Sequence, residues 1–234
     1  MFLLSNSTNT EEVGSAGCQI QKMSSEYIHY APTSVQMINY DKAINYTPSL
    51  RSFLVEYKAN LTDNLQFVVA SGNALLISEK LLNVFLVSNI ENYQYFEADV
   101  IYHKKHYTYY FFYIYGQNYD LVDYKNMVFY GETNTPYSDF YREPHEKVGR
   151  KRKEIKVEKP EQIINWQELY PDFPNRQYEN LRLNYANITP DMIRTPALLG
   201  NHYMVSEQLK NRIEEAGCTG LKFTTTDFFN RTIF

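Results

Sequence analysis

Cysteine is scarce. Cys18 and Cys218 are the only two, 200 positions apart, whereas a secreted domain held together by disulfides would carry several. The count fits reduced thiols in a cytoplasm. No stretch of about 18 apolar residues occurs, which excludes a membrane-spanning helix on length. The opening Met1-Phe2-Leu3-Leu4 stops at Ser5 and runs into Asn6, Asn9, Glu11 and Glu12, so it builds no signal-peptide core. Ser15-Ala16-Gly17-Cys18 has the small residues of a lipoprotein cleavage site but no basic or apolar segment before it. Residues 1–25 therefore read as a disordered leader, with Met23 as an alternative start. An excess of positive charge is also missing: 23 basic side chains face 27 acidic ones, for a net charge of −4. That balance argues against a polyanionic partner such as DNA or RNA. No glycine-rich phosphate loop, His-Glu-x-x-His or Cys-x-x-Cys motif occurs either.

Apolar and aromatic residues are plentiful. They make up 44% and 16% of the chain, far from the low-hydrophobicity, high-charge corner where chains stay disordered. The 22 tyrosines serve as amphipathic fillers of core and surface. Phe53, Val55 and Tyr57 alternate with more polar neighbours, and Leu65 to Ala70 is a short apolar run; both read as strands. Gln94, Phe96, Ala98, Val100 and Tyr102 form one period-2 row, and Tyr107, Tyr109, Phe111, Tyr113 and Tyr115 form another. With His103-Lys104-Lys105-His106 between them, they predict a hairpin. Asp120 to Phe129 is expected to follow as a neighbouring strand. Gly131 to Gly149, running into Arg150-Lys151-Arg152-Lys153, reads as a connection. Ile155 and Val157 suggest a further strand, and Pro160 begins a helix that reaches Leu169.

One strand-then-helix unit occurs twice, at Gly72 to Phe85 and at Gly200 to Ile213. Six of fourteen positions are identical at a constant offset of 128. In the first copy Ser78 caps a helix, Glu79 lies in its positive first turn, and Leu81, Leu82, Phe85 and Leu86 share one face. In the second, Ser206, Glu207 and Leu209 stand at the matching positions, and Gly217 ends the helix where a residue without a Cβ is favoured.

Four groups of residues invite a chemical reading. A serine beside a carboxylate resembles a nucleophile and its base, but neither Ser78 nor Ser206 has a nucleophile elbow or a matching histidine, so helix capping is the better account. His103 and His106 are spaced as a metal pair that would need a further ligand, and an exposed turn is the plainer reading. The basic run Arg150 to Lys153 is broken up by Glu143, Glu146, Glu154 and Glu158 and suits a solvated linker or edge strand. Asp120 and Asp123 stand without other clustered carboxylates and fit a turn.

The string from Tyr203 to Phe223, with its Val205-Ser206-Glu207, Glu215-Ala216-Gly217 and Thr219-Gly220-Leu221 segments, resembles the C-terminal signature of immunity proteins of bacterial polymorphic toxin systems. Leu76-Ile77-Ser78-Glu79-Lys80-Leu81 and the strand-rich stretch ending in Leu121-Val122-Asp123 are similar to that family's central region. The resemblance covers roughly residues 70–130 and 200–224. It implies a cytoplasmic protein that binds a cognate toxin domain, and it brings no catalytic residue, metal or cofactor. The signature positions Ser78, Glu79, Leu81, Asp123, Ser206, Glu207, Leu209, Gly217 and Gly220 are expected to be structural.

The expected architecture is α+β, with two related lobes, each a mostly antiparallel sheet carrying a capped helix. The N-terminal lobe would span 26–130, the connection 131–155 and the C-terminal lobe 156–234. The expected function is non-catalytic neutralisation of a protein toxin, without nucleic-acid or membrane binding. The alternatives are an enzyme whose site assembles from scattered residues such as Asp120, Asp123 and His202, or a regulator that binds nucleic acid through the basic run.

Overall fold

A computed structural model describes residues 1–14, 18–24, 27–51, 53–68, 74–116, 118–133, 152–179, 188–196 and 202–225. The expectations placed on Gly72, Asn73, Gly200, Asn201, Arg150, Lys151 and 134–149 lie outside these residues. The fold is mixed α+β, with mostly antiparallel sheets and few helices. Two compact units divide the chain: Met1–Asn118 with Thr189–Thr226, and Tyr119–Ile188 with Asp227–Phe234.

In the first unit the chain runs β1 (Phe2–Asn6), α1 (Thr10–Val13), β2 (Ile20–Met23), β3 (Phe53–Val55), β4 (Asn64–Leu65), β5 (Leu75–Ile77), α2 (Glu79–Leu86), β6 (Tyr93–Tyr102) and β7 (Lys105–Ile114). The second unit holds β8 (Val128–Glu132), β9 (Arg152–Ile155), α3 (Pro160–Ile164), α4 (Trp166–Leu169) and β10 (Asn175–Glu179). The first unit then resumes with β11 (Met192–Arg194), β12 (Tyr203–Val205), α5 (Glu207–Glu215) and β13 (Leu221–Thr225).

Three expectations are corrected here. Where 1–25 read as a disordered leader, Phe2–Asn6, Thr10–Val13 and Ile20–Met23 are regular elements, and Leu3 and Leu4 are buried in β1, which is hydrogen-bonded on one side to β12 and on the other to β13. The capped helices do not belong to separate lobes over 26–130 and 156–234 either. Both lie in the first unit, because β1 and the shared core tie the second copy to the first. Asp120 to Phe129 contributes no strand beside the hairpin. Tyr119–Leu121 and Tyr124–Asn126 are short 3-10 turns, and Val128 starts a strand of a different sheet.

The matched copies extend well beyond the strand-helix unit. Asn64 and Leu65 pair with Ile77 and Leu76, as Met192 and Ile193 pair with Val205 and Met204. Ile77, Leu76 and Leu75 face Tyr110, Phe111 and Phe112 of β7, whereas Val205, Met204 and Tyr203 face Phe2, Leu3 and Leu4 of β1. The outer strands agree too: Tyr95, Phe96 and Glu97 pair with those same β7 residues, and Phe223, Thr224 and Thr225 with those same β1 residues. The residues of β4, β5 and β6 all match those of β11, β12 and β13 at the offset of 128, and only the middle strands, β7 and β1, depart from it. The sheet order β4-β5-β7-β6 thus recurs as β11-β12-β1-β13, with one difference in connectivity. The strand that follows the outer strand through a hairpin in the first copy comes in the second from the other end of the chain. Just before β6 and β13, Asn92 (φ +54°) and Gly220 (φ +83°) occupy the same left-handed conformation.

Both copies close over one core, with Ile77, Leu81, Phe85 and Phe112 meeting Val205, Leu209, Ile213 and Leu4. The opposite face of the hairpin sheet, through Ala98, Val100, Tyr109, Phe111 and Tyr113, packs on Ile20, Val35, Ile38, Tyr40 and Phe53. The hairpin is therefore buried on both faces over part of its length. Beside it, Arg194 is 1% exposed and donates from Nη2 to the carbonyls of Gly116 (2.7 Å) and Tyr40 (2.9 Å), clamping two loops.

Gly217 (φ +64°) has open space around it, whereas a Cβ on Gly220 would lie 2.2 Å from the Asn64 carbonyl and 2.6 Å from Thr62 Oγ1. Gly217→Ala should cost about 1 kcal/mol from conformation alone. Gly220→Ala adds a clash with backbone and should cost roughly 2–3 kcal/mol. Urea denaturation of the two variants checks the order.

The second unit holds a sheet of order β10-β8-β9 and the short helices α3 and α4. The expected helix from Pro160 to Leu169 breaks at Asn165, and Trp166 is buried with its Nε1 donating to the Phe173 carbonyl at 2.7 Å. Gly131 lies close under Phe173 and Ile155, leaving no room for a Cβ.

Candidate functional site

The serines singled out in the sequence start helices. Ser78 Oγ accepts from the Leu81 amide (3.3 Å), as Ser206 Oγ does from Leu209 (3.0 Å). Each hydroxyl donates its own proton to an aspartate, Ser78 to Asp63 and Ser206 to Asp191, both at 2.6 Å. The aspartates again stand 128 apart, a match missed because they precede the repeated strand. Each carboxylate also holds the turn after the opposite helix: Asp63 accepts from the Thr219 amide (2.8 Å), and Asp191 from the Asn89 amide (3.0 Å). Lys80 pairs with Asp63 (2.8 Å) and donates to the Gly217 carbonyl (2.9 Å). Arg212 lies 3.9 Å from Asp191 and donates to the Val87 carbonyl (3.2 Å). Two reciprocal locks thus join the copies, and among the described residues no histidine bonds to either serine.

Burial would raise the Asp63 carboxyl, but hydrogen bonds from Lys80, Ser78 and the Thr219 amide, with the Lys80 charge, outweigh it and leave it below its ordinary value. A carboxylate depressed in the folded state stabilises the fold above its unfolded pKa of about 3.9, and that contribution is lost as pH falls through the folded value. Stability should therefore drop below about pH 4, and Asp63→Asn should flatten that part of the pH profile in thermal melts.

The remaining expected site residues are divided between the two units and the hairpin turn. Asp123 accepts from Asn126 Nδ2 (2.7 Å) in a turn of the second unit, where Asp120 also lies, whereas His202 belongs to the first unit. His202 is lowered from its usual pKa by burial. His103 and His106 lie at the exposed hairpin turn, and His106 Nδ1 is 2.8 Å from Asp99 Oδ1. Among the described residues, no three His, Cys, Asp or Glu side chains come together as metal ligands. No helix among them is long and apolar enough to cross a membrane.

The surface with the most distinctive composition is on the hairpin. Residues opposite each other in β6 and β7 share a face, and α2 covers that face only at one end, where Phe85 packs on Phe112 (5.0 Å). Beyond the helix Tyr95 is 41% exposed, and its ring meets that of Tyr110 edge-on at 6.1 Å. Glu97, paired with Tyr110, is exposed as well. Burial, then the charges of Glu79 and Glu97, push the Tyr110 phenol above its usual pKa. Glu97, Asp99 and Thr108 also line a groove of about 310 Å3 whose opposite wall is Thr47 to Arg51. At the far end of the hairpin, the His103 ring sits 4.6 Å from that of Tyr57 and 3.9 Å from that of Tyr102. A second exposed apolar group, Ile28, Tyr30 and Met37, lies on the loop leading to β3.

No family model matches the chain, nor does any curated protein or solved structure.

The tyrosines of the hairpin were visible in sequence as a period-2 pattern, but which of them stay uncovered was not. That depends on how far α2 reaches across the sheet. The approach of Tyr57 to His103 had no sequence signal, because the two are brought together by the pairing of β3 with β6.

Proposed function

We propose that the chain is an immunity protein that binds a cognate bacterial toxin domain in the cytoplasm and neutralises it without catalysis. The observation that carries the reading is the hairpin face beyond α2, where Tyr95 and Glu97 are exposed beside the partly buried Tyr110, on a hairpin packed on both faces over part of its length. Tyrosine supplies contact area at low entropic cost, and a rigid strand pair presents it already ordered. The resemblance of Leu76–Leu81 and Tyr203–Phe223 to an immunity-protein signature points the same way. The signature serines and their neighbours are engaged in the two locks, which suits scaffold positions that leave the contact surface free to vary.

We read the matched copies as an internal duplication in which the N-terminal strand completes the second half. Co-expression with the toxin encoded beside the gene tests the function. Growth should be rescued and a complex should co-purify; a chain that neither rescues nor binds would refute the reading.

A further inference from the structure

We propose that the turn between β6 and β7 is a preformed basic prong that docks into a carboxylate-lined cleft of the toxin domain. The inference rests on the reading of the chain as a toxin-binding protein and names the partner chemistry of one part of its surface.

The backbone of the turn is the first argument. His103 (φ +48°) and Lys104 (φ +63°) are both left-handed, and Tyr102 pairs with Lys105 across them. A two-residue turn with both centres left-handed favours Asn-Gly, since other side chains crowd the backbone there. Holding a histidine and a lysine in that conformation calls for bracing, which the surroundings supply. The His103 ring packs against those of Tyr57 and Tyr102, and the Tyr102 hydroxyl donates to the Ala59 carbonyl at 2.7 Å. The turn and the 57–59 loop therefore form one ordered tip, and strained conformations held this way favour a surface set up in advance for contact.

Charge is the second argument. Lys58, Lys104 and Lys105 are exposed and form no ion pair among the described residues. Between them Tyr57 stands 77% exposed. An aromatic anchor ringed by ammonium groups fits a partner surface bearing carboxylates around an apolar hollow. On a chain whose net charge is −4, this concentration of unpaired positive charge is local. Glu56, Asp99 and Glu97 follow within a few residues along the same strands. A nucleic-acid backbone needs a longer continuous positive field than that, so the occupant is an acidic protein cleft.

The test uses the full chain, the toxin domain that it rescues in co-expression, and a single-stranded oligouridylate as the competing ligand. Lys104→Glu with Lys105→Glu should weaken toxin binding about a hundredfold, chiefly through the association rate, and added salt should weaken the wild type in the same way. His103→Asn with Lys104→Gly should bind more weakly while unfolding at an equal or higher temperature, which separates contact from folding. Unchanged affinity in these variants would overturn the prong and leave the immunity reading standing. Tighter binding of the oligouridylate than of the toxin domain would overturn the protein occupant. Failure of the wild type to bind the toxin domain would overturn the immunity reading, and the prong with it.

Discussion

Removing residues 1–7 should abolish cooperative unfolding of the first unit. β1 is the strand between β12 and β13, so without it β13 loses its strand partner and β12 keeps only β11. Leu3 and Leu4 are 9% and 5% exposed, and burying two leucines is worth about 3–6 kcal/mol. The lost strand ladders and the newly bared edges of Tyr203–Val205, whose residues are all buried, add to that. The total approaches the roughly 5–15 kcal/mol by which whole domains are stable. Circular dichroism and NMR dispersion of the truncated chain measure the loss, and a peptide of residues 1–14 added in trans should restore part of the native spectrum. Native dispersion in the truncated chain would mean that the second sheet stands without its third strand.

Asp63→Ala and Asp191→Ala should each destabilise the protein by about 2–4 kcal/mol, a similar amount despite their separation in sequence. Each substitution strips a serine hydroxyl of its acceptor and a post-helix amide of its partner. Lys80 and Arg212 are partly exposed and can turn to water, which limits the penalty. Ser78→Ala and Ser206→Ala remove the cap and one of the aspartate's several hydrogen bonds, and should cost about 1–2 kcal/mol each. For a unit of this size the aspartate variants correspond to melting points lower by roughly 5–15 °C. If Asp191→Ala were neutral while Asp63→Ala was severe, the two corners would not be equivalent.

The parts of the fold that were legible in sequence are those fixed by local chemistry. Ser78 and Ser206 announce their helices because a hydroxyl three residues before an apolar helix face satisfies a free amide whatever the chain does elsewhere. The long hairpin shows because two period-2 rows flank a short polar turn. What failed depends on distant partners. Phe2–Asn6 is five residues without a periodic signal, and its neighbours lie some two hundred positions away, so it read as a leader. The lobe boundaries failed for the same reason: linear order placed the second capped helix in its own lobe, whereas contacts with Phe112 and Ile114 place it in the core of the first. Asp63 and Asp191 carried a usable signal in their shared offset. The hairpin surface carried less, since exposure of Tyr95 follows from the reach of α2, and the bracing of His103 from a strand pairing between residues far apart.

Hydroxyl-radical footprinting of the free chain and of its complex with the toxin domain bears most directly on the claim that this is a binding protein whose contact surface is the hairpin. Tyr57, Tyr95, His103 and Tyr110 should become shielded in the complex, with little change at the helix starts around Ser78 and Ser206. Unchanged labelling of those four side chains, with shielding instead at Ile28, Tyr30 and Met37, would contradict it.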